Sequence, residues 1–332
     1  MLKECSRALS EEYDLALLDL DGVVYIGPDA VDGAAERLAA AAAAGMALAY
    51  VTNNASRPPA KVAGHLTALG IPAEEDDVVT SAQAAARLLR ETLEPGSPVF
   101  VIGGQGLIEA LDELGLRGVQ SLDDAPVAVV SGYNPDLRWR TLTDGAILVR
   151  RGLPWVAANT DFTVPTPAGP GIGNGVLVDV VARFSGRKPV VAGKPRPPLF
   201  EETRRRVGGS RPLVVGDRLD TDIEGAHNTG LDSLLVLTGV TGVAELVGAT
   251  PAQRPSYISL GLEGLGLPHP APEERDEGFE LGGWRAVAQH GSVKVEGDGE
   301  PADWWRVLAS AAWAHLDATG QSVDVSAVAP PR

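Results

Sequence analysis

The sequence predicts an α/β protein: a doubly wound parallel-sheet (Rossmann-like) core, an inserted α/β domain and a small α+β C-terminal appendage. An apolar strand, a helix and a second strand follow one another over residues 15–51, and the same order recurs over residues 189–237. Strands joined by helices in this way are typical of parallel sheets. Residues 261–278 are rich in glycine, proline and acids, which indicates a linker before the appendage.

The pattern divides the chain into five segments. We expect a core in two parts (residues 1–80 and 188–262), an inserted domain (81–187), a linker (263–278) and the appendage (279–332). Strands are predicted at 15–20, 47–51, 99–102, 127–130, 156–158, 189–191, 212–215 and 234–237, and helices at 32–44, 81–93, 105–114, 176–184 and 199–207. The appendage reads as a hairpin around Gly291 and a helix at 301–316. So small a segment buries little core alone, so we expect it to dock on the main body or on a second copy.

Composition limits the classes of partner. The chain has 28 basic and 44 acidic residues, a formal net charge of −16, which disfavours nucleic acid and anionic membranes as partners. A site for a small phosphorylated metabolite must therefore supply its own positive charge. Cys5 is the single cysteine, so no intramolecular disulfide forms. The first 15 residues lack the apolar stretch of a signal peptide, and no apolar run reaches the length of a membrane span. We expect a cytoplasmic protein.

Two acids follow the first predicted strand. Asp19 and Asp21 lie two residues apart at its carboxyl end, so both side chains can face one cleft, and Gly22 permits a sharp turn. Ligands bind at this end of strands in open α/β sheets. The plain alternative is a strand that ends in solvated acids.

Polar residues also follow the second strand and the strand at 189–191. Thr52 offers a hydroxyl, and the turn through Asn53 offers backbone N–H groups, which suit phosphate oxygens; a helix-capping turn is the alternative. Lys194 is one of five lysines and could neutralise a carboxylate and a phosphoryl oxygen together; a surface lysine is the alternative.

Three acids follow the strand at 212–215. Asp217 lies at the strand end, and Asp222 lies five residues further on. Hard carboxylate ligands gathered in this way suit Mg²⁺. Capping of the next helix is the alternative for Asp220 and Asp222, and for Asp220 it is the preferred interpretation. Each motif alone is weak, but all fall at predicted strand ends.

These motifs together resemble those of the haloacid dehalogenase superfamily of phosphotransferases over residues 12–262. Asp19, Asp21 and Gly22 match its DxDG pattern, and Thr52, Lys194 and the pair Asp217 and Asp222 match its other three motifs. Only 32 residues separate Asp19 from Thr52, whereas 141 separate Thr52 from Lys194, so a cap domain would be inserted after the second motif. The residues in and around these motifs are similar to those of subclass IIA, the p-nitrophenylphosphatase-like group.

The resemblance implies a phosphatase mechanism. Asp19 would be the nucleophile and Asp21 the general acid and base. Mg²⁺ would be held by Asp19, the backbone carbonyl of Asp21 and Asp217, with Asp222 holding the metal or its waters. Thr52, Asn53 and Lys194 would bind the phosphoryl oxygens.

The resemblance also suggests a substrate. The cap residues Asn159 and Asp161, with the glycine-rich residues 171–175, are candidates for selecting it; a flexible lead-in to a helix is the alternative for 171–175. The linker and appendage resemble actinobacterial glycerol-3-phosphate phosphatases, whose tail looks like a partial acetyltransferase fold. This implies glycerol 3-phosphate as the substrate.

Several alternatives stay open. Phosphoglycolate, a sugar phosphate, a nucleotide or pyridoxal phosphate would suit the same core. A non-catalytic regulatory module, or a second acetyltransferase activity in the tail, are the further rivals. The tail has no glycine-rich pyrophosphate loop, so we expect it to be structural or to form a homo-oligomer.

Overall fold

The computed structural model describes residues 1–166 and 169–331. Pro167, in the stretch 158–173 whose sequence resembles the cap of subclass IIA, lies outside the described residues. The chain forms two compact units, Met1–Leu48 with Gly209–Arg332, and Ala49–Gly208. None of the helices in the described ranges is long and apolar enough to cross a membrane.

The strands of the described chain come in the following order. They are β1 (Leu15–Leu18), β2 (Tyr25–Ile26), β3 (Asp29–Ala30), β4 (Ala47–Thr52), β5 (Val78–Thr80), β6 (Pro98–Ile102), β7 (Arg117–Val119), β8 (Ala128–Ser131), β9 (Trp155–Ala157), β10 (Thr163–Thr166), β11 (Gly169–Ile172), β12 (Val190–Val191), β13 (Pro212–Gly216), β14 (Asp232–Val236), β15 (Tyr257–Ser259), β16 (Glu273–Arg275), β17 (Gly278–Leu281), β18 (Trp284–Gln289) and β19 (Ser292–Gly297).

The helices lie between these strands. They are α1 (Leu9–Glu12), α2 (Ala34–Ala43), α3 (Pro59–Ala68), α4 (Ser81–Arg90), α5 (Gln105–Glu113), α6 (Trp139–Arg150), α7 (Asn174–Ser185), α8 (Pro197–Val207), α9 (Glu224–Thr229), α10 (Val243–Val247) and α11 (Pro301–Thr319).

The first unit contains parallel strands in the order β15-β14-β13-β1. Leu18 of β1 pairs with Val215 of β13, and Val215 pairs with Leu234 of β14. All residues of β1 and β13 are buried, because an apolar strand in a parallel sheet is covered on both faces. This register brings the carboxyl ends of β1 and β13 side by side.

The C-terminal segment packs on the same unit. β16 to β19 form an antiparallel sheet, which begins inside the predicted linker, and β18 and β19 are the predicted hairpin. Apolar side chains of this sheet and of α11 share one cluster with those of β14, α10 and β15. Trp313 Nε1 donates to the carbonyl of Leu246 at 2.8 Å. The tail therefore docks on the main body, which is the first of the two predicted outcomes.

The second unit contains a five-stranded parallel sheet in the order β12-β9-β8-β6-β7. β4, most of which lies in this unit, pairs in parallel with β5, and β10 forms an antiparallel hairpin with β11. The strand predicted at residues 189–191 is present as β12, but it pairs with β9 in this sheet. The predicted α/β class with parallel sheets is confirmed, whereas the predicted domain boundaries stay a prediction.

Candidate active site

Three carboxylates meet at the carboxyl ends of β1 and β13. Asp19 directly follows β1, Asp217 directly follows β13, and Asp222 lies in the π-helical turn Leu219–Ile223. One oxygen from each carboxylate lies within 4.8 Å of the others. Asp217 and Asp222 are completely buried, and Asp19 is half-buried. Sequence spacing alone did not require that Asp222 reach this point; the tight turn after β13 brings it there.

The Asp217 carboxylate is held by the loop after β14. Its Oδ2 accepts a hydrogen bond from Val240 N at 2.7 Å, and its carbonyl accepts one from Thr241 Oγ1 at 2.6 Å. Gly22 has φ +87°, and a Cβ there would lie 2.5 Å from Asp217 Oδ2. A Cβ at Gly239 would lie 1.9 Å from the same oxygen. Both glycines therefore permit a backbone approach to this carboxylate that no other residue allows.

Asp222 is packed against the end of β13. Its Oδ2 accepts a hydrogen bond from Arg218 N at 3.2 Å, and a Cβ at Gly216 would lie 2.2 Å from the Asp222 Cβ. Asp220 behaves differently, because it is exposed and its carboxylate pairs with the Arg218 guanidinium at 2.8 Å. The structure thus places Asp222, but not Asp220, in the acidic cluster.

The donor set fits a divalent cation. Carboxylates this close, two of them out of contact with water, repel one another strongly, and a cation offsets that repulsion. Oxygen donors from a few carboxylates are the ligands that Mg²⁺ takes in proteins, with water completing the shell. The Asp21 side chain lies outside this cluster and is exposed. The structure thus groups three of the four predicted ligands by their side chains, and for Asp21 the prediction concerned the backbone carbonyl.

A second polar cluster lies within the Ala49–Gly208 unit, around Asn53. The Asn53 Oδ1 accepts from Lys194 N at 2.8 Å, and its Nδ2 donates to Asp161 Oδ1 at 3.0 Å. Lys194 is 3% exposed, and its Nζ donates to the carbonyl of Val51 at 3.4 Å. A lysine this buried is not the plain surface lysine of the alternative interpretation.

The remaining predicted residues of this unit join the same cluster. Asn159 is buried, its Nδ2 donates to the carbonyl of Asn53 at 2.6 Å, and its Oδ1 accepts from Asp161 N at 3.2 Å. Thr52 is buried, and its Oγ1 accepts from Asn54 N at 3.0 Å. Five residues predicted from three separate segments are therefore neighbours in one hydrogen-bonded group.

Two members of this group were missed from the sequence. Ser81, at the start of the helix predicted at 81–93, follows the cap residue Thr80, and its hydroxyl donates to the carbonyl of Asn53 at 2.5 Å. Asn174 donates from Nδ2 to the carbonyl of Asn159 at 2.7 Å. Polar residues at the start of a helix often form hydrogen bonds with the nearby backbone. The sequence therefore gives no sign that such a residue contacts a distant segment.

The sequence matches the family described as Haloacid dehalogenase-like hydrolase over residues 16–117 and a second model of that kind, HAD-hydrolase-like, over residues 191–265. The D-glycerol 3-phosphate phosphatase of Mycobacterium tuberculosis is 41% identical over 320 residues, 92% of this chain and 88% of that one. An acid sugar phosphatase of Staphylococcus saprophyticus is 36% identical over 71% of this chain and 91% of its own.

A solved structure has the same fold over nearly the whole chain. It is the glycerol phosphate phosphatase from Mycobacterium tuberculosis in complex with magnesium, with a TM-score of 0.85 and 41% identity over 93% of this chain and 92% of that one.

Proposed function

Because this chain belongs to the haloacid dehalogenase-like hydrolases, we propose that it is a Mg²⁺-dependent phosphatase of a small phosphomonoester, with glycerol 3-phosphate as its substrate. The observation that carries the proposal is the group of Asp19, Asp217 and Asp222 at the adjoining ends of β1 and β13. The substrate is supported by the mycobacterial relative, whose likeness extends through the C-terminal segment.

Asp19, Asp217 and Asp222, with the backbone carbonyl of Asp21, would hold the metal. Mg²⁺ supplies positive charge that offsets the negative charge of the phosphoryl group during transfer. Asp222 is buried against β13, so it fixes its side of the cluster rigidly. The net charge of −16 makes such a local source of positive charge necessary for an anionic substrate.

Asp19 is the proposed nucleophile. A carboxylate oxygen of Asp19 forms a bond to phosphorus while the bond from phosphorus to the ester oxygen breaks. Asp21 donates a proton to that leaving oxygen and then takes a proton from the water that attacks the aspartyl phosphate. Orthophosphate leaves and both acids return to their starting states. The exposure of Asp21 suits a residue that exchanges protons with substrate and water.

The Asn53 group is proposed to serve the same reaction. Thr52, the backbone N–H groups of the Asn53 turn and the Lys194 ammonium would bind phosphoryl oxygens. Asn159 and Asp161 are the proposed specificity residues. Both ends of the Asn159 amide are engaged within the protein, whereas Asp161 is half-buried, so Asp161 is the better candidate to meet a substrate hydroxyl.

A sugar phosphate is the second candidate substrate. The acid sugar phosphatase relative, which covers 71% of this chain, supports this candidate. A cytoplasmic location and a homo-oligomer remain predictions attached to this proposal.

The test is release of phosphate by the full-length protein from a panel of esters led by glycerol 3-phosphate, with Mg²⁺ and with EDTA. We expect Mg²⁺-dependent turnover that Asp19→Asn abolishes. Asp222→Asn should weaken Mg²⁺ binding at least tenfold, while the exposed Asp220→Asn should stay within about twofold of the wild type. No phosphate release from any ester would favour the non-catalytic alternative, and a sugar phosphate turned over faster than glycerol 3-phosphate would replace the proposed substrate.

A further inference from the structure

The first residue of α7 is a buried amide with only one of its two polar atoms in use. Asn174 is 2% exposed, and its Nδ2 donates to the carbonyl of Asn159 at 2.7 Å. Its Oδ1 has no hydrogen-bond partner among the residues that the structure describes. Burial of a polar atom without a partner is unfavourable, so an apolar residue would serve better if only packing mattered at this position. The hydrogen bond from Nδ2, and not packing, is therefore the reason for an asparagine at this position.

The start of α7 is in close backbone contact with the segment that carries Asn159. A Cβ at Gly173 would lie 2.2 Å from the carbonyl oxygen of Asp161, and a Cβ at Gly175 would lie 2.3 Å from that of Thr160. In addition, Gly175 N donates to the carbonyl of Asp161 at 2.8 Å. These two glycines permit the approach and seat Asn174 in a fixed position. The glycine-rich residues Gly173 and Gly175 thus pack closely against the backbone of residues 160–161, which does not suit the interpretation of 171–175 as a flexible lead-in to α7.

Asn159, which accepts the bond from Asn174, is itself hydrogen-bonded to the turn Thr52-Asn53-Asn54, which we call the phosphate turn. Asn159 Nδ2 and Ser81 Oγ donate to the Asn53 carbonyl at 2.6 and 2.5 Å. The peptide unit is planar, so holding this carbonyl also fixes the direction of the Asn54 N–H. That N–H donates to Thr52 Oγ1 at 3.0 Å.

The last bond of this series determines what the Thr52 hydroxyl can do. Because Thr52 Oγ1 accepts a hydrogen bond from the backbone, its own proton is directed elsewhere and can be donated to an anionic oxygen. A shift of the Asn53–Asn54 peptide would release the hydroxyl to rotate.

We propose that Asn174 is a positioning residue that orients the Asn53–Asn54 peptide through Asn159, and so sets the Thr52 hydroxyl for a phosphoryl oxygen. This inference rests on the proposed function, because it assigns that hydroxyl to the phosphate group. Asn174 acts through Asn159 and is not itself a catalytic residue.

The test compares Asn174→Ala, Asn174→Leu and wild type as full-length proteins. We expect kcat/KM to fall roughly tenfold in both variants, since a misdirected donor weakens stabilisation of the transferring group. The affinity for inorganic phosphate, measured by calorimetry in the presence of Mg²⁺, should fall in the same direction. Thermal unfolding should show that both variants are folded.

The leucine variant separates orientation from packing. Leucine has the same number and branching of side-chain heavy atoms as asparagine but no N–H to donate, so it should be as impaired as alanine. Asn134→Ala is the matched control, because Asn134 Nδ2 also donates to a backbone carbonyl of this unit, that of Gly103, at 2.9 Å. It should stay within about twofold of the wild type. In Asn159→Ala protein, the further change Asn174→Ala should add little, since both act through one series of bonds.

Three results would overturn the inference. One is wild-type kcat/KM and phosphate affinity in Asn174→Ala. Another is recovery of activity in Asn174→Leu, which would mean that only volume matters. The third is a loss of kcat/KM that Asn134→Ala shares. The calorimetric arm does not depend on turnover. If the wild type hydrolyses no ester, the proposed function fails, while the phosphate affinities still show whether Asn174 orients the phosphate turn.

Discussion

At the scale of single residues, the surroundings of Asp217 explain the glycine of the DxDG segment. From the sequence, Gly22 was expected only to permit a turn, and its φ of +87° agrees with that. The structure adds that a Cβ there would lie 2.5 Å from Asp217 Oδ2. Thr238 Oγ1 also donates to the Gly22 carbonyl at 2.5 Å, so the residue is held from two directions. Gly22 therefore shapes the acidic cluster as well as the chain path.

We predict that Gly22→Ala weakens Mg²⁺ binding and destabilises the fold. The change adds backbone strain, about 1–2 kcal/mol for a non-glycine residue at positive φ, and pushes the Asp217 carboxylate out of the cluster. Gly27→Ala is the control, because Gly27 has φ +61° with nothing within 4 Å of an added Cβ. It should lower the free energy of unfolding but leave Mg²⁺ affinity unchanged. Calorimetric titration with Mg²⁺ and thermal unfolding measure both; equal Mg²⁺ affinities in the two variants would contradict the prediction.

At the scale of elements, α11 shows what a sequence pattern cannot reveal about a docked helix. The sequence predicted a helix at residues 301–316, and in the structure all eleven residues of 303–313 are buried. The reason is that α11 contacts its own sheet on one side and α10 and β15 on the other. Even Arg306 is buried, donating to the Ile258 carbonyl at 3.0 Å and to Asp303 Oδ1 at 2.8 Å.

We predict that Arg306→Ala destabilises the protein by about 3–5 kcal/mol, because removing one partner leaves the buried Asp303 carboxylate uncompensated. Arg285→Ala is the matched control. Its pair with Glu280 is exposed on both sides (43% and 37%), and such pairs contribute about 0–1 kcal/mol. Urea unfolding of the two variants checks this, and similar midpoints would show that α11 is not held by Arg306.

At the scale of the whole molecule, the predicted superfamily and the predicted phosphatase class are confirmed. The net charge of −16 suits the proposed function, in which positive charge is local, at the proposed metal and at the buried Lys194. The protonation state of His269 affects the stability of the fold. Its Nδ1 accepts from Arg306 Nη2 at 3.1 Å, and its Nε2 lies 2.8 Å from the Gly264 carbonyl. Since an arginine only donates, the imidazole is neutral with its proton on Nε2.

We predict that this histidine makes the fold sensitive to mild acid. Burial, together with the Arg306 charge, lowers the pKa of His269 from 6.5 to about 4. Between these values the unfolded chain binds the extra proton and the native protein does not, so stability falls as the pH decreases from 6.5 towards 4. The loss should approach roughly 3 kcal/mol. Denaturant unfolding at several pH values measures it: His269→Gln should lack this component, and His315→Gln should keep it. Parallel profiles for His269→Gln and wild type would refute the assignment.

The sequence by itself determined which chemical groups stand at the ends of the strands, and through them the family. These are local properties, because an apolar run that ends in Asp19 or Asp217 can be recognised within a few residues of sequence. Only the tertiary structure decided that Asp222 lies beside Asp19, that β12 pairs with β9, that Ser81 donates to the Asn53 carbonyl and that Asn174 donates to the Asn159 carbonyl. These depend on contacts between residues far apart in the chain, where a short polar side chain has an equally good local partner and only packing selects between them.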